Sequence, residues 1–460
     1  MSNSGPINDN SSGAQLLARL DRLPVMRMHY FWALLLAINL MLEYYDNAIF
    51  AYASPTIKAH TNYSTEQIGL IGSMFFVGMI IGALMGGRLS DKFGRRSIMV
   101  WATLLYSFGS LLTALSPNYE IMLFSRTITG IGVQAATSVL LVYVSEMFPS
   151  NTRGRFMSVV TIGFAFSAVA ASALALFYLP NSGDNAWRHL FYVGSIGFFI
   201  APFMRFYIPE SVRWYIARKK YQQAETLISQ FERQAILKNK ILETPNISSV
   251  EHYKEAKLSD LFTNKTVVLT IIVMGIGYFG STLAYYLFGN WAVYSFVYGL
   301  KYSEEKAYYI FFIWNVIYCV TPFITMFILD RFERKSLILA MSALTTIPLI
   351  ILGISNIMWE LIVAGGIACI VTGIIVSGYY TYIPESLPTK LRALGSGIII
   401  SIGRFGGAVS GVLGAWLFTN GGIQGVMFTA AALYILFAVP VMLYGPLTTN
   451  RSLEIVNSKE

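Results

Sequence analysis

Apolar residues in this chain of 460 residues come in long unbroken runs, not in the short amphipathic stripes of a soluble domain. Each run is near the roughly 20 residues that a helix needs to cross a bilayer. The runs lie at about 28 to 53, 66 to 86, 97 to 115, 120 to 145, 155 to 179 and 187 to 208, then at about 267 to 297, 306 to 328, 336 to 354, 358 to 382, 394 to 418 and 424 to 445. Six fall in each half. The pattern predicts an all-α polytopic membrane protein with twelve transmembrane helices, six in each half.

The polar turns between the runs repeat as well. GRLSDKFGRRS, from Gly87 to Ser97, returns as MFILDRFERKS, from Met326 to Ser336, with Asp91 matched by Asp330 and Arg95, Arg96 by Arg334, Lys335. YVSEMFPSNTR, from Tyr143 to Arg153, returns as YIPESLPTKLR, from Tyr382 to Arg392. Both pairs share one offset, since 330 − 91 and 385 − 146 are both 239. Two loops in a common register mean a duplicated unit. The expected organisation is a disordered cytoplasmic tail at 1–27, an N-terminal bundle at 28–208, a cytoplasmic linker at 209–264, a C-terminal bundle at 265–447 and a short tail at 448–460. Within the linker, YQQAETLISQFERQAIL has amphipathic helical spacing, suited to the membrane surface or to the bundle.

Composition narrows the class. With 55% hydrophobic and 12% charged residues, the surface charge of a soluble protein is missing. A net charge of +9 would suit nucleic acid, but about 26 of the 33 Lys and Arg fall in alternate loops. The opposite loops hold Lys58, Arg188, Lys301 and Lys306. This positive-inside bias predicts two cytoplasmic termini in a cytoplasmic (bacterial inner) or plasma membrane and argues against a nucleic-acid partner. Cys319 and Cys369 sit within apolar runs without paired spacing, and His29, His60, His189 and His252 are scattered. No metal, cofactor or catalytic cluster is expected. The N-terminal MSNSGPINDNSSGAQ lacks the layout of a cleaved signal, so the first run is expected to direct insertion.

Polar residues inside the runs carry the candidate chemistry. A charge at the bilayer centre costs roughly 2.5 to 3.5 kcal/mol on insertion scales, so it faces a cavity or a partner. In the first run Asn39, Glu43, Asp46, Asn47 and Phe50 recur at helical spacing and predict one polar face. In the fourth, Arg126, Gly130, Gln134 and Thr137 do the same. At about 1.5 Å per residue, Arg126 and Asp46 lie some 9 and 10 Å from their outer ends, so they can meet. The seventh run offers Tyr285, Tyr286 and Asn290 as pocket-lining residues, the alternative being interface anchors. Arg404 lies roughly 15 Å into the eleventh run, suited to a substrate carboxylate or to a static pair with an acid such as Glu43.

Six plus six runs, a GxxxDxxGRR-type turn after the second and eighth, and ExxPxxxR after the fourth and tenth resemble the major facilitator superfamily over nearly the whole chain. EYYDNAIFAY is similar to the EWYDFxxYG segment of metabolite-proton symporters. PESVRW at Pro209 to Trp214 and Arg126 with its GIG resemble the sugar-porter branch. The QQxSGxN element of that branch is absent from the seventh run, which argues against a hexose. Arg404 followed by Phe-Gly-Gly resembles the eleventh-span arginine of organic anion transporters.

The resemblance implies two pseudo-symmetric six-helix bundles that rock against each other around a central site, as in a transporter. Asp46 is then the proton-binding residue, with Arg126 as its partner and Glu43 as a second proton site. Arg404, Gln134, Tyr285, Tyr286, Asn290 and Asn39 are the candidate substrate residues. Gly87, Asp91, Arg95, Arg96, Glu146, Arg153, Glu210, Asp330, Arg334, Glu385 and Arg392 form a cytoplasmic gate. In it Asp91 meets a helix N-terminus and Arg95 meets Glu146 when the protein is open outward. The expected activity is proton-coupled import of an organic anion by a monomer. A neutral or zwitterionic solute, a facilitator or exporter of the same fold, and remotely a non-transporting sensor are the alternatives.

Overall fold

The computed structural model describes residues 9–149, 152–183, 185–238, 242, 244–245, 260–261, 264–329, 331–388 and 391–448. The first span is Arg27–His60. The second to sixth are Thr65–Phe93, Arg95–Leu115, Tyr119–Met147, Arg153–Tyr178 and Ala186–Tyr207. The seventh to tenth are Lys265–Gly299, Glu304–Ile328, Arg334–Ile354 and Met358–Glu385. The helix Arg392–Tyr444 supplies the eleventh and twelfth, because Gly422 breaks it at φ 57, a left-handed value that glycine takes without penalty. Among the described residues twelve spans result, six in each half, as the apolar runs predict.

Polar residues set where the spans begin. Ser64 accepts from Gln67 N (3.2 Å) while the Gln67 side chain accepts from Ser64 N (2.8 Å), a reciprocal cap on the second span. Asn118 accepts from Ile121 N at 3.0 Å and Asn264 from Thr266 N at 2.8 Å, capping the fourth and seventh.

Within the N-terminal bundle the second and fourth spans pack backbone to backbone. A Cβ on Gly78, Gly82 or Gly86 would run into Thr127, Ile131 or Ala135, and one on Gly130 into the Phe75 carbonyl. Small residues at this spacing let helices approach where lipid supplies no hydrophobic drive. The duplication is visible in the ion pairs: Arg95 meets Glu146 at 3.2 Å, and Arg334 meets Glu385 at 3.2 Å.

The two halves are joined at the face opposite the termini. Thr56 donates to Glu304 (3.0 Å), Tyr308 to the Tyr52 carbonyl (3.1 Å), Tyr298 to the Pro55 carbonyl (3.1 Å) and Thr419 to Glu66 (3.1 Å). Gly69 and Gly411 face each other so closely that a Cβ on either would strike the other's carbonyl.

The N-terminal segment corrects the expectation of a disordered tail. Asp9–Asp21 is a helix whose Leu16 and Leu20 join Ile228 and Phe231 of the linker in one buried cluster. The linker helix is Tyr221–Leu237, and it lies against the bundle. Arg19 and Arg22 both reach Glu232, at 2.7 and 2.6 Å. Burial works against the Glu232 carboxylate, but the hydrogen bonds and charges of the two arginines outweigh it and hold its pKa below the usual range.

Two glycines separate motif from packing. Gly130→Ala must push the second span off the fourth, an overpacking that costs about 1 to 3 kcal/mol. Gly87, although part of the repeated turn, has nothing within 4 Å of a Cβ. Thermal unfolding in detergent should therefore show a lowered midpoint for Gly130→Ala and an unchanged one for Gly87→Ala.

Candidate functional site

The polar face expected on the first span divides in two. Asn39, Glu43 and Asp46 are buried inside the N-terminal bundle. Tyr44, Asn47, Ala51 and Tyr52 instead line a cavity of about 250 Å³ between the halves. Spacings of three, four and one along a helix place these four on one side.

Asp46 sits where the third and sixth spans meet the first. Ser110 donates to Asp46 Oδ1 at 2.7 Å and shares the same hydrogen with the Phe191 carbonyl at 2.9 Å. The sixth span is interrupted between Gly194 and Gly197, and a Cβ on Gly194 would lie 2.6 Å from Asp46 Oδ1. The expected Asp46–Arg126 ion pair is replaced by a different contact. The Arg126 guanidinium donates to the Asp46 main-chain carbonyl, at 3.4 and 3.5 Å. Its charge also rests over the rings of Phe75 (4.4 Å) and Phe50 (5.3 Å). Asp46 Oδ2 and Arg126 Nε are buried without hydrogen-bond partners.

Glu43 lies one turn along and belongs to a separate network. Asn39 donates to Glu43 Oε1, and Thr137 donates to Oε2 at 2.6 Å. The Asn39 carbonyl oxygen accepts from Thr103 (3.0 Å) and Tyr106 (3.1 Å). Asn39 is thus a partner of Glu43 and not a cavity residue, and Glu43 is not paired with Arg404. Gln134 also lies off the cavity wall, its amide nitrogen donating to Ser138 at 3.1 Å and its oxygen buried without a partner.

Arg404, Tyr285, Tyr286 and Asn290 do line the cavity. Arg404 Nη1 donates to the Tyr286 hydroxyl at 3.3 Å, and Nε is buried without a partner. Tyr44, Tyr278 and Tyr380 stand around it with Tyr286. Among the described residues no carboxylate lines the cavity and none pairs with Arg404. An uncompensated buried guanidinium is costly unless an anion arrives to share its fork of donors. Cys369 stands at the same wall.

The repeated turn contacts its own bundle. Arg95 bridges Asp91 (2.5 Å) and Glu146 (3.2 Å), and Glu146 also accepts from Ser211 at 2.5 Å. The pair is formed with the face opposite the termini closed, so it is not confined to an outward-open state. The acid at the helix N-terminus is Glu210, not Asp91: Glu210 accepts from Arg96 N at 3.0 Å, while the Asp91 carbonyl accepts from Trp214 (2.8 Å) and Arg218 (2.7 Å). Gly94, at φ 105, leaves room that a Cβ would take from the Glu210 carboxylate. In the second half Arg392 donates to the Pro384 carbonyl at 2.9 Å. Arg153 lies near Asp21 and Arg213, with its Nε unpartnered. Asp330 falls outside the described residues.

Sequence reasoning missed Ser110, Gly194, Tyr44, Tyr380, Tyr52 and Asn315. Small and aromatic residues are so common in membrane helices that five of these give no signal; Asn315, a polar amide inside the eighth apolar run, is the readable one.

Gly94 and Glu210 form a testable pair. Gly94→Ala combines backbone strain of about 1 to 3 kcal/mol with a collision against Glu210. The collision disappears in a Glu210→Ala background. Unfolding midpoints of the two single variants and the double variant should be non-additive, with the double variant less damaged than the sum; additive losses would mean that the two do not touch.

Comparison with known proteins places this geometry in a family. The model for the family "Sugar (and other) transporter" matches residues 32–459. The chain is 26% identical over 442 residues to a putative metabolite transport protein, YyaJ, of Bacillus subtilis, covering 95% of this chain and 96% of that protein. It is 24% identical over 445 residues to the niacin transporter NiaP of Acinetobacter baylyi, covering 96% and 99%. A partially occluded inward-open structure of the xylose transporter XylE from E. coli superposes with a TM-score of 0.72 at 19% identity, over 93% of this chain and 100% of that one, a likeness of fold.

Proposed function

The chain belongs to the family of sugar and other transporters within the major facilitator superfamily, and on that premise we propose that it imports a small organic carboxylate together with a proton. It is a membrane transporter and not an enzyme. The observation that carries the substrate reading is Arg404, buried at the cavity wall with tyrosine hydroxyls around it and no acid beside it. A substrate carboxylate supplies the missing counter-charge and the bidentate partner. The relative named as a niacin transporter bears a name for a pyridine carboxylate, which supports the same class.

Asp46 serves as the proton site in this reading, with Glu43 as a second. Both are held on the side of the first span that faces away from the cavity, while Tyr44 and Asn47 of the same helix touch it. A proton on Asp46 removes a charge from between the first, third and sixth spans, and the rigid first span carries the change to the substrate side. With both termini cytoplasmic, as the loop charges imply, the closed face is the outer one and the described state faces inward. Alternating access then requires the contacts at Thr56, Pro55, Gly69 and Gly411 to part. A neutral polyol would use the amides of Asn47, Asn290 and Asn315, but leaves Arg404 unanswered.

Uptake of labelled monocarboxylates, sugars and amino acids into proteoliposomes, with and without a proton gradient, tests the reading. The expected result is gradient-driven accumulation of a monocarboxylate, with Arg404→Ala losing about 2 to 5 kcal/mol of binding, roughly 30-fold or more in affinity. Asp46→Asn should abolish accumulation and retain exchange. Movement of neutral solutes alone would make Arg404 a structural charge, and undiminished gradient-driven uptake in Asp46→Asn would remove Asp46 from coupling.

A further inference from the structure

We propose that the substrate is a flat aromatic monocarboxylate carrying a hydrogen-bonding group on the ring edge away from the carboxylate, and that Tyr52 and Asn315 read that group. The proposal rests on the carboxylate reading above and adds the ring and its far substituent.

Two polar clusters line the cavity at different levels of the first span. Arg404 marks one, beside Tyr44. Tyr52 and Asn315 mark the other, and both line the same cavity. Asn315 Nδ2 donates to the Tyr52 hydroxyl at 2.8 Å and to the Phe311 carbonyl at 2.9 Å. A carbonyl only accepts, so the second bond fixes the orientation of the amide and leaves Oδ1 as the atom still free to accept. The Tyr52 hydroxyl takes a hydrogen from Asn315 and has Ser172 beside it, so its own hydrogen goes to Ser172 or to a ligand. One donor and one acceptor therefore stand side by side, the pattern that binds a ring hydroxyl or a ring nitrogen.

Length and shape fit a single ring. Tyr44 and Tyr52 are eight residues apart on one helix, about 12 Å along its axis. That is the reach of one substituted ring with a hydrogen bond of about 2.8 Å at each end. The wall carries Tyr278, Tyr285, Phe288, Phe311 and Trp314 beside the amides of Asn47 and Asn290, and the aromatic faces and edges suit a planar ring better than a branched or puckered solute. A second carboxylate would find no second cation, since Arg404 is the only charged residue among those that line the cavity.

Calorimetric binding of benzoate, 4-hydroxybenzoate and 4-methylbenzoate to the purified full-length protein tests this. The methyl compound keeps the shape and removes the hydrogen bonds. Wild type should hold 4-hydroxybenzoate about tenfold tighter than 4-methylbenzoate. Tyr52→Phe and Asn315→Leu should each bring that ratio to within about twofold. A wild-type ratio near one, or a ratio that survives in both variants, overturns the role of Tyr52 and Asn315. Binding of acetate or succinate but of none of the aromatic acids overturns the ring and spares the carboxylate reading. Binding of no carboxylate at all removes both.

Discussion

Among the described residues, four charged side chains of the membrane spans are buried without a salt-bridge partner: Glu43, Asp46, Arg126 and Arg404. Isolated charges in a low-dielectric interior are expensive, and neutral dipoles offset only part of that cost. Here the dipoles are hydroxyls, an amide, a main-chain carbonyl and ring faces. Such an arrangement is stable enough to fold and leaves each charge responsive to a mobile counter-charge. A salt-bridged interior would have no comparable reason to answer a proton or an anion.

The first span joins those responses because its two sides do different work. One side holds Glu43 and Asp46 among the third, fourth and sixth spans, and the other forms cavity wall. No separate relay between the carboxylates and the cavity is needed when one rigid helix presents both. Gly194 of the interrupted sixth span supplies the clearance for Asp46, while the glycines of the second and fourth let those spans pack closely.

Much of this was legible in the chain. The apolar runs and the 239-residue offset specify twelve helices in two matched halves, because burying a backbone in lipid leaves few other solutions. The pairs Arg95–Glu146 and Arg334–Glu385 follow from the same offset. Helical spacing also marks the first span as special, but it cannot say which flank faces the cavity: Asn39 and Asn47 look alike in sequence and end on different sides. Arg126 and Asp46 are at matched depth as expected, yet side-chain direction brings the guanidinium to the carbonyl instead of the carboxylate. The N-terminal helix escaped notice because its sequence is polar and small. Its order comes from tertiary contacts with Ile228, Phe231 and Glu232, which lie more than 200 positions away.

The close approach of Gly69 and Gly411 has a wider bearing. Where Gly69 and Gly411 meet at the closed face the surfaces in contact are main chain, with the hydroxyls of Tyr298 and Tyr308 and the Thr56–Glu304 and Thr419–Glu66 hydrogen bonds set around them. None of these atoms discriminates between one cargo and another. If selectivity resides in the cavity side chains deeper between the halves, as proposed, a scaffold of this kind can acquire a new cargo by exchanging a few residues there while its machinery for closing stays as it is.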